Sequence, residues 1–128
     1  MGIASFKELD VWKIAHQNVL EIYRITKSYP RDEMFGLSSQ MRRSAVSIPA
    51  NIAEGFGRRQ PRDKARYYNI AQASIEELRY YLILSKDLGY VEDAAAVGQS
   101  LDSVARMLKK LVLRMSGQGY SSPSSPDS

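Results

Sequence analysis

Apolar positions recur every three or four residues through four long stretches of the chain, and no stretch alternates with the two-residue period of a strand. The pattern predicts four amphipathic helices, over about 10–28, 37–56, 61–88 and 93–116. In the first, Val11, Trp12, Ala15, Val19, Ile22, Tyr23 and Ile25 form the stripe. Asp10 offers an N-cap, and Ser5 with Glu8 offers a competing capping box slightly earlier. Tyr29-Pro30 ends the segment, because the residue before a proline is pushed out of the α region.

The second segment carries Leu37, Met41, Ala45, Ile48 and Ile52 on one face. Pro49 lies inside that pattern and predicts a kink, since it lacks an N–H and crowds the carbonyl four residues back. Gly55 or Gly57 is expected to close the helix with a positive φ. Pro61 then reads as the first helical position of the third segment, with Asp63 complementing its dipole. Gly89 closes the third segment, about 40 Å long at ~1.5 Å per residue. The fourth has a regular stripe of Val97, Leu101, Val104, Leu108, Leu111 and Met115. From Gly117 the chain turns to Ser, Pro and Gly and reads as a disordered tail over 117–128.

Short connections between long helices predict an all-α, antiparallel, up-down-up-down four-helix bundle, one domain over 1–116. The third segment carries more apolar surface than one seam can bury. Tyr67, Ala71, Ile75, Leu78 and Leu82 make one stripe, and Ile70, Ala73, Tyr80, Tyr81 and Leu84 spread over much of the rest. In a four-helix protein no helix is fully central, so the second stripe predicts contact with further copies of the chain, a homo-oligomer. The bland alternative is that the tyrosine rings pad the core and leave their hydroxyls in water.

Composition narrows the chemistry. There is no cysteine, which excludes disulfides, thiolate metal sites and thiol nucleophiles. The single histidine, His16, excludes zinc sites built on two or three histidines and di-iron sites that need two Glu-x-x-His motifs. His16 has no sequence neighbours that would orient it as a catalytic base, so a surface or half-buried place is expected. No Walker loop, dinucleotide fingerprint or nucleophile elbow occurs. The reading is therefore not an enzyme, with no cofactor and no metal. No signal-peptide pattern and no membrane-length apolar run is found, which sets a cytoplasmic expectation without membrane contact.

Charge adds one localised feature. The formal net charge is +4. Between Gly36 and Arg66 stand seven cations and two acids, a net of +5, so the rest of the chain is +4 − 5 = −1. The densest part is the turn and helix start holding Arg58, Arg59, Arg62, Lys64 and Arg66, a candidate contact for RNA or DNA phosphates. The competing reading is a solvated loop. The second segment also has a polar stripe of Gln40, Arg43, Ser47, Asn51 and Glu54. It reads as a network fixing helix register, with partners on another helix or subunit, and alternatively as a ligand site around Glu54.

Three stretches resemble a known family. They are Leu9-Asp10-Val11-Trp12-Lys13-Ile14-Ala15, the run from Phe35 to Arg58 containing Arg42-Arg43-Ser44-Ala45-Val46-Ser47-Ile48-Pro49-Ala50-Asn51-Ile52-Ala53-Glu54-Gly55, and Leu88-Gly89-Tyr90. They resemble the bacterial four-helix bundle proteins encoded in intervening sequences of 23S ribosomal RNA genes, over Phe6 to about Met115. The resemblance implies an antiparallel bundle, assembly as a homopentamer, and RNA as a natural candidate ligand. It brings no catalytic motif. The family's shared residues fall here on Arg43, Pro49, Asn51, Glu54 and Gly55, read as bundle and interface determinants. A protein-interaction scaffold with a protein partner and no nucleic-acid binding is the other expectation.

Overall fold

The computed structural model describes residues 2–117. The tail expected over 117–128 lies, from residue 118 onward, outside the described residues. Among the described residues there are four α-helices and no strand: α1 (Asp10–Thr26), α2 (Leu37–Gly57), α3 (Pro61–Asp87) and α4 (Ala95–Ser116). Short 3-10 turns at Phe6–Glu8 and Arg31–Glu33 precede α1 and α2. Each helix packs on its chain neighbours, and α4 returns to α1; the α2–α3 contact is the most extensive.

The stripes read from the sequence form one core. Val11, Ala15, Val19 and Ile22 of α1 meet Leu37, Met41, Ala45, Ile48 and Ile52 of α2, with Val97, Leu101, Val104 and Leu108 from α4. On α3 the buried face starts at Ala65 and passes through Tyr68, where Tyr67 was expected. Tyr68 is buried with Ala71, Ile75, Leu78 and Leu82, and Tyr67 is only half-buried. Tyr23, expected on the inner face of α1, is exposed. Fully burying a Leu or Ile side chain stabilises by about 1.5–3 kcal/mol, so this shared seam, not local propensity, holds the helices together.

The helix ends show how the chain sets its boundaries. The Ser5–Glu8 box forms, with Ser5 N–H donating to Glu8 Oε2 at 3.1 Å and Lys7 N–H to Ser5 Oγ at 3.2 Å. Leu9 occupies the cap of α1, and Asp10 lies inside the first turn, where its charge complements the dipole without capping. Asp93 stands outside α4 and accepts from the Ala95 N–H at 2.8 Å, which moves the helix start two residues past the expected one. α3 closes in a Schellman motif, with Tyr90 N–H to Ser85 O at 2.9 Å and Gly89 N–H to Lys86 O at 3.0 Å. Gly89 takes φ +80° there, and it alone among the described residues has a positive φ. Neither Gly55 nor Gly57 supplies the left-handed cap expected of it; α2 ends instead with Arg58 in extended backbone. α2 runs on through Pro49, whose missing N–H leaves the Ala45 carbonyl without its helical donor.

Candidate nucleic-acid interface

Three residues, Arg58, Arg59 and Gln60, join α2 to α3, and close packing fixes the corner they turn. A Cβ on Gly55 would stand 2.6 Å from Tyr68 Cε1 and 3.2 Å from the Lys64 carbonyl oxygen. Gly55 is therefore needed for the approach of the two backbones, not for its dihedral freedom. Lys64 closes the same corner. Its Nζ donates to the carbonyls of Phe56 at 2.8 Å and Gly55 at 3.3 Å, and lies 5.6 Å from the Phe56 ring centre. Gly55 O also accepts from the Arg58 N–H at 3.2 Å, so it is chiefly the Phe56 carbonyl that the ammonium caps, at the negative dipole end of α2. Burial pushes the Lys64 pKa below its ordinary value.

The four arginines fall into two pairs. Arg58 Nη2 donates to Glu54 Oε2 and to Tyr67 Oη, each at 3.0 Å, and its guanidinium lies 4.7 Å from the Tyr67 ring centre. Arg66 approaches the same ring at 5.1 Å and donates to its hydroxyl at 3.3 Å. Tyr67 thus orders two guanidinium groups at once. Arg59 and Arg62 are exposed and form no ion pair among the described residues. They flank the N-terminus of α3, whose cap residue Gln60 makes no side-chain hydrogen bond to it. Of the five cations read from the sequence, four face outward at one corner, and Lys64 is turned back into the fold.

The polar stripe of α2 divides. Ser47 Oγ lies 2.8 Å from Ser74 Oγ of α3, and Asn51 Nδ2 donates to the Ser47 carbonyl at 2.8 Å and to its hydroxyl at 3.0 Å. That trio links α2 to α3. Glu54 leaves it for Arg58, four residues on and just past the end of its own helix, where a partner on another helix or subunit was expected. Gln40 and Arg43 are exposed. Arg43 lies close enough to Tyr81 to favour its ionised form, but the hydrogen bond from the Tyr81 hydroxyl to Glu77 Oε2 at 2.9 Å, with burial, prevails and raises the Tyr81 pKa.

The second stripe of α3 is only partly outward. Ile70 and Tyr80 are 40% and 58% exposed, and Ala73 is exposed as well. Tyr81 and Leu84 are half-buried and pack on the core, which removes them from a fully free face. Ile83, not singled out in the sequence, is 59% exposed. His16 is half-buried and stacks on Trp12 with ring centres 5.0 Å apart, while Phe6 meets the other side of the cluster edge-on. Two residues play parts that the sequence pattern did not assign them. Tyr67, placed on the core stripe by its spacing, instead holds Arg58 and Arg66, and its signal is a tyrosine directly after an arginine. Phe35 is 91% exposed, and its signal is a large aromatic before Gly36 with no helical position to bury it.

The class defined by these features is an all-α four-helix protein with a cationic corner. The family described as 23S rRNA-intervening sequence protein matches residues 7–110, and the chain belongs to that family. No curated protein matches the chain significantly. No helix among the described residues is long and apolar enough to cross a membrane.

Proposed function

We propose that this chain is a non-enzymatic, cytoplasmic homo-oligomer, a pentamer of antiparallel up-down-up-down bundles kinked at Pro49, that contacts RNA or DNA phosphates through its α2–α3 corner. The observation that carries the reading is the gathering of Arg58, Arg59, Arg62 and Arg66 at one turn, with Arg59 and Arg62 unpaired by any carboxylate among the described residues. Unpaired guanidinium groups beside a helix N-terminus are suited to phosphate oxygens. Repetition of the corner around an oligomer multiplies weak contacts. The exposed Ile70, Ala73 and Tyr80 support assembly through α3.

Fluorescence anisotropy of the full-length oligomer with a labelled structured RNA and a duplex DNA tests the reading. Binding should weaken steeply with salt, because each neutralised phosphate releases counterions. Absence of binding at low salt would refute it. The second reading is a protein-interaction scaffold without nucleic-acid binding. The exposed Phe35 favours it, and association with a protein insensitive to salt would support it.

A further inference from the structure

A cavity of about 330 Å³ lies where α1 ends and α2 begins. From Ser38 to Arg58 the helix extends about 30 Å at ~1.5 Å per residue, so this cavity is separate from the basic corner. Lys27, Arg31 and Arg42 line it together with Thr26 and Ser38, and no carboxylate is among its lining residues. The nearby Glu33 is not among them: its carboxylate holds the first N–H of α2, that of Leu37, at 3.2 Å and accepts from the Tyr90 hydroxyl at 2.9 Å.

Arg42 is held as though for a ligand. Its Nε donates to Thr26 Oγ1 at 2.8 Å, and that hydroxyl donates in turn to the Ile22 carbonyl at 2.7 Å. The guanidinium lies 4.7 Å from the Tyr23 ring centre. It is half-buried, yet forms no ion pair among the described residues. A partly buried charge without a counterion is costly unless an anion joins it. Ser38 adds an independent observation. It is 6% exposed and lines the cavity, and beside it Tyr29, 7% exposed, carries a buried hydroxyl with no hydrogen-bond partner among the described residues. The Ser38 backbone N–H is one of the orphan donors at the start of α2, where Gly36 provides no side-chain cap.

We infer that this cavity binds the phosphate of a small phosphate monoester. Arg42, Lys27 and Arg31 supply the charge, Ser38 supplies its hydroxyl and N–H, and Pro30 and Met34 wall the organic part. Three cations and convergent donors match a dianion with several oxygens better than a single carboxylate.

Calorimetric titration of the full-length protein at low ionic strength tests this, with adenosine 5′-monophosphate, inorganic phosphate and adenosine as probes. Saturable binding of the monophosphate, competed by phosphate and absent for adenosine, is expected. A monophosphate that binds more tightly than inorganic phosphate identifies an organic ester as the ligand; equal affinity identifies free phosphate. Exchanging the exposed pair, Lys27→Glu with Arg31→Glu, should weaken binding about tenfold or more, and Ser38→Ala about threefold. Arg59→Glu with Arg62→Glu should leave it unchanged, which separates this site from the proposed nucleic-acid corner. No binding at about 10 mM probe, equal binding by adenosine, unchanged affinity in the Lys27/Arg31 variant, or loss in the Arg59/Arg62 variant would overturn the inference.

Discussion

The two ends of α2 solve the same problem, joining one helix to the next, in opposite ways. At the C-terminal end the joint is three residues long and sealed: Gly55 lets Tyr68 approach, and Lys64 ties the last carbonyls. At the N-terminal end the joint runs through residues 27–36, leaves Phe35 in solvent and borders a partly open cavity. The sealed end holds its cations on a fixed corner, two of them ordered by Tyr67. The open end keeps a half-buried arginine positioned but without an acid. A rigid short turn suits contact with an extended polyanion, and a concave pocket suits a small one.

The contrast can be broken most severely at Gly55. Gly55→Ala should cost about 1–3 kcal/mol in denaturant unfolding, because the new methyl meets a buried ring with little room to move. Gly57→Ala, where an added Cβ meets nothing within 4 Å, should be neutral or gain up to about 1 kcal/mol. Equal effects at the two glycines would mean that the corner is not sealed. Lys64→Ala should cost about 1 kcal/mol by leaving the Phe56 carbonyl without its donor, whereas Arg59→Ala should stay within about 0.5 kcal/mol. Thermal melts of the pair check this, and similar melts would return Lys64 to the outward-facing group.

Alkaline pH gives a subtler test of the sealed end. Burial raises the pKa of Tyr68, and of Tyr29 at the open end. A raised folded-state pKa means that the neutral phenol is favoured by folding. Its contribution is complete below the ordinary tyrosine value near 10 and is lost as pH rises through the higher folded value. The lowered Lys64 pKa acts in the opposite sense over part of that range. Stability should therefore fall above about pH 10, and Tyr68→Phe should make the fall shallower. An unchanged slope in that variant would show that the ring's hydroxyl is not titrating from a buried place.

Much of the scaffold was legible because it depends on periodicity. The stripes of α2 and α4, the proline start of α3 and the glycine stop at Gly89 follow from spacing and local backbone rules. The errors fall where a single residue step or a long side chain decides. Tyr67 and Tyr68 differ by about 100° on a helix, and at a helix start the pattern is too short to choose between them. Lys64 looks like its arginine neighbours in sequence, but its reach back to the preceding helix is a tertiary fact. Glu54 finds Arg58 because α2 continues almost to that residue. Arg42 and Phe35 gain meaning only from the joint around them, which no helical period describes.

The most direct test of the nucleic-acid reading is anisotropy with a labelled structured RNA, comparing the native protein with the Arg58→Glu, Arg59→Glu, Arg62→Glu triple variant while light scattering follows assembly. The account predicts an unchanged oligomer that no longer binds. An unchanged oligomer that binds with native affinity would contradict it.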